Sequence, residues 1–142
     1  MGDRRAWGAA LLRVTLGGIY LAHAWFAYAV VGVPAAAGLV RGLAERLGQD
    51  AGSWATPLAW YVVGAHAVGG FLLVIGLWTP WAALAQVPVT AGAVLIHWPG
   101  GFFVRRDAIG FEYALLVLVA TVALLLIGPG ALAVDRGRGR GR

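Results

Sequence analysis

Between Ala51 and Val104 the chain carries no Asp, Glu, Lys or Arg. Two further stretches, Val14–Val40 and Tyr113–Val134, are equally free of charge. A soluble domain devotes about a quarter of its residues to charge; this one devotes 12%, with 61% hydrophobic and a mean hydropathy of +0.80. A helix needs roughly 20 apolar residues to cross a bilayer. The chain therefore reads as an integral membrane protein, with the lipid bilayer as its first partner. Helices are required, because lipid offers no partner to unpaired backbone groups, and no alternating pattern suggests barrel strands.

The expected architecture is all-α: a four-helix transmembrane bundle in one domain, residues 1–134. The spans fall at about 7–31, 57–78, 81–104 (apolar core to Trp98) and 109–128. Thr79–Pro80 between Trp78 and Trp81 marks a tight turn flanked by interfacial tryptophans. Gly100–Gly101 before Arg105–Arg106 marks another break. Arg4–Arg5, the apolar run after them and Ala22-His23-Ala24 have the outline of a signal peptide. Arg13 interrupts that run and hydrophobicity continues to Val31, so a span is expected instead. Small residues should mediate packing, with Gly18 and Ala22 in the first span and Ala65 and Gly69 in the second. Such faces also permit homo-oligomers. Pro88 should kink the third span or free a carbonyl there, with Gln86 or Thr90 on hand to satisfy it.

All eleven basic residues are arginines, and they sit at the ends and in loops. The net charge of +5 thus reports topology rather than nucleic-acid binding. Arg4, Arg5 and Arg13 on one side, with Arg136, Arg138, Arg140 and Arg142 after the last span, place both termini in the cytoplasm. Residues 135–142 read as a disordered Arg/Gly-rich cytoplasmic tail touching anionic headgroups. In the first loop, Leu39, Leu43 and Leu47 recur every four residues, and Arg41 precedes Glu45 by one turn. A short amphipathic helix is expected there, lying on the surface or serving as a lid.

The polar residues inside the membrane carry the chemistry. At ~1.5 Å per residue, His23, His66, His97 and Glu112 all fall in one leaflet, one from each span. A polar side chain turns from lipid toward the bundle interior. Imidazoles with a carboxylate can exchange protons with a bound quinone; haem or metal ligation through His ranks lower, and no metal site is assigned. Trp25, Trp60 and Trp98 would pack on a flat ring. The bland alternative is that each polar group only hydrogen-bonds a neighbouring helix. Arg13 lies low enough in the first span to snorkel.

Arg13 with LGGIYLAHAW, then VGGFLLVIGLWTPWAA, IHWPGGFF, GFEYALL and GPGALAVD, taken in that order and spacing, resemble the DoxX family of small four-helix membrane proteins. The resemblance implies a multi-pass protein of a bacterial or archaeal cytoplasmic membrane. It also implies association with redox enzymes, since the family takes its name from a quinol oxidase subunit and relatives assemble with oxidative-stress proteins. His66 stands where members commonly carry Glu, and Ala27 where they often carry Lys. With no cysteine and a single serine, Ser53, the chain has few tools for a stand-alone enzyme. The expectation is an accessory subunit of a respiratory or oxidative-stress redox complex, binding quinone through the His/Glu cluster. A non-catalytic scaffold or small-solute transport protein is the alternative.

Overall fold

A computed structural model describes residues 2–135, and among them there is no strand. Asp135, the first residue of the expected tail, is held against the backbone of Trp78 and Thr79, and the rest of that Arg/Gly-rich tail lies outside the described residues. Helix α1 (Gly2–Trp25) widens into a π turn, Phe26–Val31, and stops at Gly32, whose φ of 85° suits a residue without Cβ. Helix α2 (Val33–Arg46) starts with Pro34 in its first turn, where no N–H is required. A 3-10 turn (Gly52–Trp54), α3 (Ala55–Gly64), a π turn (Ala65–Gly69) and α4 (Gly70–Ile75) form one continuous rod. Helices α5 (Thr79–His97) and α6 (Glu112–Ile127) complete the set.

The rods Asp3–Val31, Gly52–Ile75 and Thr79–Gly100 are long and apolar enough to cross a membrane. The fourth is shorter than the expected 109–128. Residues 109–111 belong to the preceding loop, leaving 16 residues in α6, about 24 Å of helix against a hydrocarbon core of roughly 30 Å. The rods nonetheless run antiparallel. The Ala131 N–H donates to the Ala6 carbonyl at 2.7 Å, so both ends of the described chain meet at one end of the bundle. The third rod's helix stops at His97, and Gly101–Phe111 forms an irregular loop instead of continuing to Val104.

Where α1 crosses α4 their backbones nearly touch. A Cβ on Gly17 would fall 2.7 Å from the Gly70 carbonyl oxygen. Gly18 and Ala22, the expected packing pair, are exposed on the opposite side of α1, and a Cβ on Gly18 would meet nothing. The buried positions Arg13, Leu16, Gly17, Tyr20 and Ala24 set the inward stripe one residue earlier. In the second rod, Gly69 does face a neighbour: a Cβ there would fall 2.7 Å from the Gln86 amide nitrogen of α5. Leu16, Tyr20, Leu73, Ala82, Ala83, Val117 and Leu124 form the central core.

Arg13 does not snorkel. It is fully buried and donates to five carbonyls: Leu73 (2.5 Å), Val74 (2.9 Å), Pro129 (2.9 Å), Ala131 and Leu132 (both 3.2 Å). Its acceptors lie where α4 ends and where the segment after α6 folds under the bundle, so the guanidinium is satisfied without reaching water. Beside this knot the Asp135 carboxylate accepts from the N–H groups of Trp78 (2.8 Å) and Thr79 (2.9 Å), capping α5.

Helix α2 packs on α3 through Val33 and Ala37 against Ala55, Ala59 and Val63. Arg41 and Glu45 form no ion pair; Arg before Glu is the weaker order at this spacing. The ion pair among the described residues is Arg105–Asp107, 3.3 Å and exposed. Near Pro88 the external donor is Tyr61, whose hydroxyl reaches the Ala85 carbonyl at 2.8 Å. Thr90 bonds the Gln86 and Val87 carbonyls, while the Gln86 side chain leaves its own helix altogether.

Candidate functional site

At the end of the bundle away from Arg13, a cavity of about 300 Å³ opens between α1, the second rod, α5 and α6. His23, His66, His97, Tyr20, Thr90 and Tyr113 supply its polar lining. A second cavity of about 380 Å³ lies beneath α2 and is lined almost entirely by apolar side chains. His23, His66 and His97 border both.

His66 sits in the π turn of the second rod, a distortion common where a helix carries a functional group. Gln86 fixes its orientation. The Gln86 Nε2 donates to the Ala65 carbonyl at 2.6 Å, which leaves Oε1 to accept from His66 Nδ1–H at 2.8 Å. The bare backbone of Gly69 makes room for that amide. His23 is set locally: its Nδ1 lies 2.9 Å from the Ile19 carbonyl, which can only accept. In its neutral form each ring therefore carries its proton on Nδ1 and presents Nε2 as a lone pair. Among the described residues the buried side-chain polar atom without a partner is the Thr79 hydroxyl, so the unbonded His66 Nε2 is open to the cavity.

The rings gather closely. His66 lies 5.1 Å from Tyr20 and 6.0 Å from His23 between centroids, and His23 stacks on Tyr113 at 6.1 Å. Tyr20 O–H donates to Thr121, whose own hydroxyl donates to the Val117 carbonyl at 2.7 Å. His97 borders the cavities from the last turn of α5 and makes no side-chain hydrogen bond among the described residues.

Glu112 is not in this group. It opens α6, and its side chain leans back into the loop, where Oε1 accepts from the Val104 N–H at 3.2 Å. A carboxylate is also favoured at a helix N-terminus. Trp25, Trp60 and Trp98 line neither cavity; each is more than half exposed, the orientation of interfacial tryptophans. Trp60 pairs with Tyr28, and Trp98 stacks on Phe111 at 4.6 Å. The aromatic lining comes instead from Tyr20 and Tyr113. Gln86 had a visible signal, as the one amide side chain within the charge-free stretch Ala51–Val104.

Among the described residues no three His, Asp or Glu side chains converge closely enough to hold a metal ion. The arrangement suits a neutral, flat, hydrogen-bonding ring: apolar walls, two imidazole acceptors and phenol groups close by.

No curated protein and no solved structure matches the chain. The DoxX family profile matches residues 8–99, from α1 through the end of α5 and including all three histidines. Covering more than half of the sequence, that match makes this all-helical membrane protein a member of the DoxX family.

Proposed function

We propose that the chain is a subunit of a membrane redox complex and that its histidine-lined cavity binds a quinone. The observation that carries this reading is the pair His23 and His66, about one ring apart, each with Nδ1–H committed and Nε2 free. Oxidising a quinol releases two protons and two electrons. His23 and His66 can each accept one proton at Nε2, while the electrons pass to an acceptor in a partner subunit. Cavities that hold small ligands run from about 300 to 1,000 Å³, so a ring fits at the lower limit.

The charges support an orientation. Seven arginines belong to the first span and the two terminal segments (Arg4, Arg5, Arg13, Arg136, Arg138, Arg140 and Arg142), against four in the loops at the other end (Arg41, Arg46, Arg105 and Arg106). The positive-inside rule puts the Arg13 end in the cytoplasm and the cavity in the outer leaflet.

Photolabelling with an azidoquinone tests the reading. The wild-type chain should label on cavity peptides and be protected by excess unlabelled quinone, and His66→Ala should lose most of that label. Equal labelling of wild type and His66→Ala, or a purified chain that neither carries nor takes up quinone, would leave a scaffold in place of a binding subunit.

A further inference from the structure

The apolar cavity under α2 is not used by the ring-binding reading, yet it abuts the ring cavity. Val89 and Ala93 border both spaces together with the three histidines. Two of the rings at this boundary are lightly held: His23 by one local bond, His97 by none among the described residues. The space is half open and partly covered by α2. Leu39 and Leu43 of α2 line it, and both Nη atoms of Arg46 donate to the Ile96 carbonyl at 3.3 Å, tying α2 to the last turn of α5. It also has free room at its wall: a Cβ on Gly92 would meet nothing within 4 Å.

We propose that this chamber receives the flexible apolar chain of the ligand whose ring the neighbouring cavity holds. The ligand class is then an alkyl- or isoprenoid-tailed quinone, with its chain under α2 rather than loose among the lipids. This rests on the quinone reading above and adds where the chain goes. A polar lining next to an apolar, partly covered groove, with shared residues between them, matches an amphiphile with a hydrogen-bonding head and an oily tail.

Gly92→Phe fills the chamber from α5 and replaces a residue that is a poor helix former. Affinities of the purified protein in nanodiscs are measured for a tail-less benzoquinone and for its decyl derivative, with helicity checked by circular dichroism. We expect Gly92→Phe to weaken the decyl compound by about tenfold or more and to leave the tail-less one unchanged. Leu116→Phe, on the lipid-facing side of α6, should alter neither. Should Gly92→Phe bind the decyl compound like wild type, or lose both compounds while still helical, the tail chamber is wrong and the ring site stands or moves on its own evidence. If wild type binds neither compound, the quinone reading fails and takes the chamber with it. A decyl quinone with a diazirine at the tail end adds a measurement on wild type alone. Its crosslinks should map to Leu39 and Leu43, and crosslinks confined to α6, or equal α2 labelling by a decyl chain lacking the ring, would overturn the inference.

Discussion

Gln86 shows how one side chain sets the chemistry of another. Because its nitrogen is held by the Ala65 carbonyl, its oxygen can only accept, and the His66 proton has to sit on Nδ1. In Gln86→Leu that constraint is gone, and histidine 15N shifts should change from one dominant tautomer to a mixture. Quinone affinity should fall by about tenfold, the equivalent of one lost hydrogen bond of roughly 1.4 kcal/mol. Gln86→Glu retains an acceptor toward His66 and should restore the tautomer in part. Unchanged shifts in Gln86→Leu would show that Gln86 only packs. The sequence shows three imidazoles at one depth, because depth follows from counting along a helix. It does not show that Glu112 turns into a loop or that the tryptophans point outward, since those depend on rotation about each helix axis. In a segment apolar on every face, no polar stripe reveals that rotation.

The same ambiguity shifts the packing of α1 by one position, from Gly18 to Gly17. Counting glycines identified a close helix crossing but could not choose between adjacent ones. The structure makes the difference testable. Gly17→Leu must displace the Gly70 backbone and Val74 and should cost more than about 3 kcal/mol, read as a lower melting temperature in detergent. Gly18→Leu, facing open space, should melt within a degree or two of wild type. Helix ends proved more legible where punctuation is strong. The first rod ends where expected, at Val31 before Gly32 with its positive φ. The turn expected at Thr79–Pro80 falls instead at Gly76–Trp78, with α4 stopping at Ile75 and Thr79–Pro80 opening α5. The end of α5 at His97 falls one residue before the expected end of the apolar core at Trp98 and just ahead of the break read at Gly100–Gly101. Beyond it the loop folds tightly on itself at Gly100 and Gly110, with Phe111 N–H donating to the Gly101 carbonyl and Glu112 N–H to the Phe102 carbonyl.

For the whole molecule, the number and direction of crossings are the claim most exposed to experiment. The chain has no cysteine, so single substitutions report cleanly. Ser53→Cys, in the exposed turn before α3, should react with an impermeant maleimide in intact cells. Asp3→Cys should react only after the membrane is opened. The reverse pattern would invert the proposed orientation. Stability at this scale depends on Arg13. Arg13→Met leaves its carbonyls without a donor, each orphaned acceptor costing about 1–3 kcal/mol, so the variant should melt far below wild type and be cut by protease near Gly128–Asp135. Arg13→Lys keeps the charge but lacks the planar, five-donor fork, and should recover only part of the loss.

That fork also imposes an order on biogenesis. Three of the carbonyls that accept from Arg13 belong to residues 129, 131 and 132, more than a hundred positions downstream. During synthesis α1 enters the lipid long before those acceptors exist, carrying a cation that has nowhere to settle. A nascent chain interrupted before residue 129 would therefore expose an unmet charge in its first helix, a mark by which a membrane quality-control protease could tell unfinished copies from finished ones.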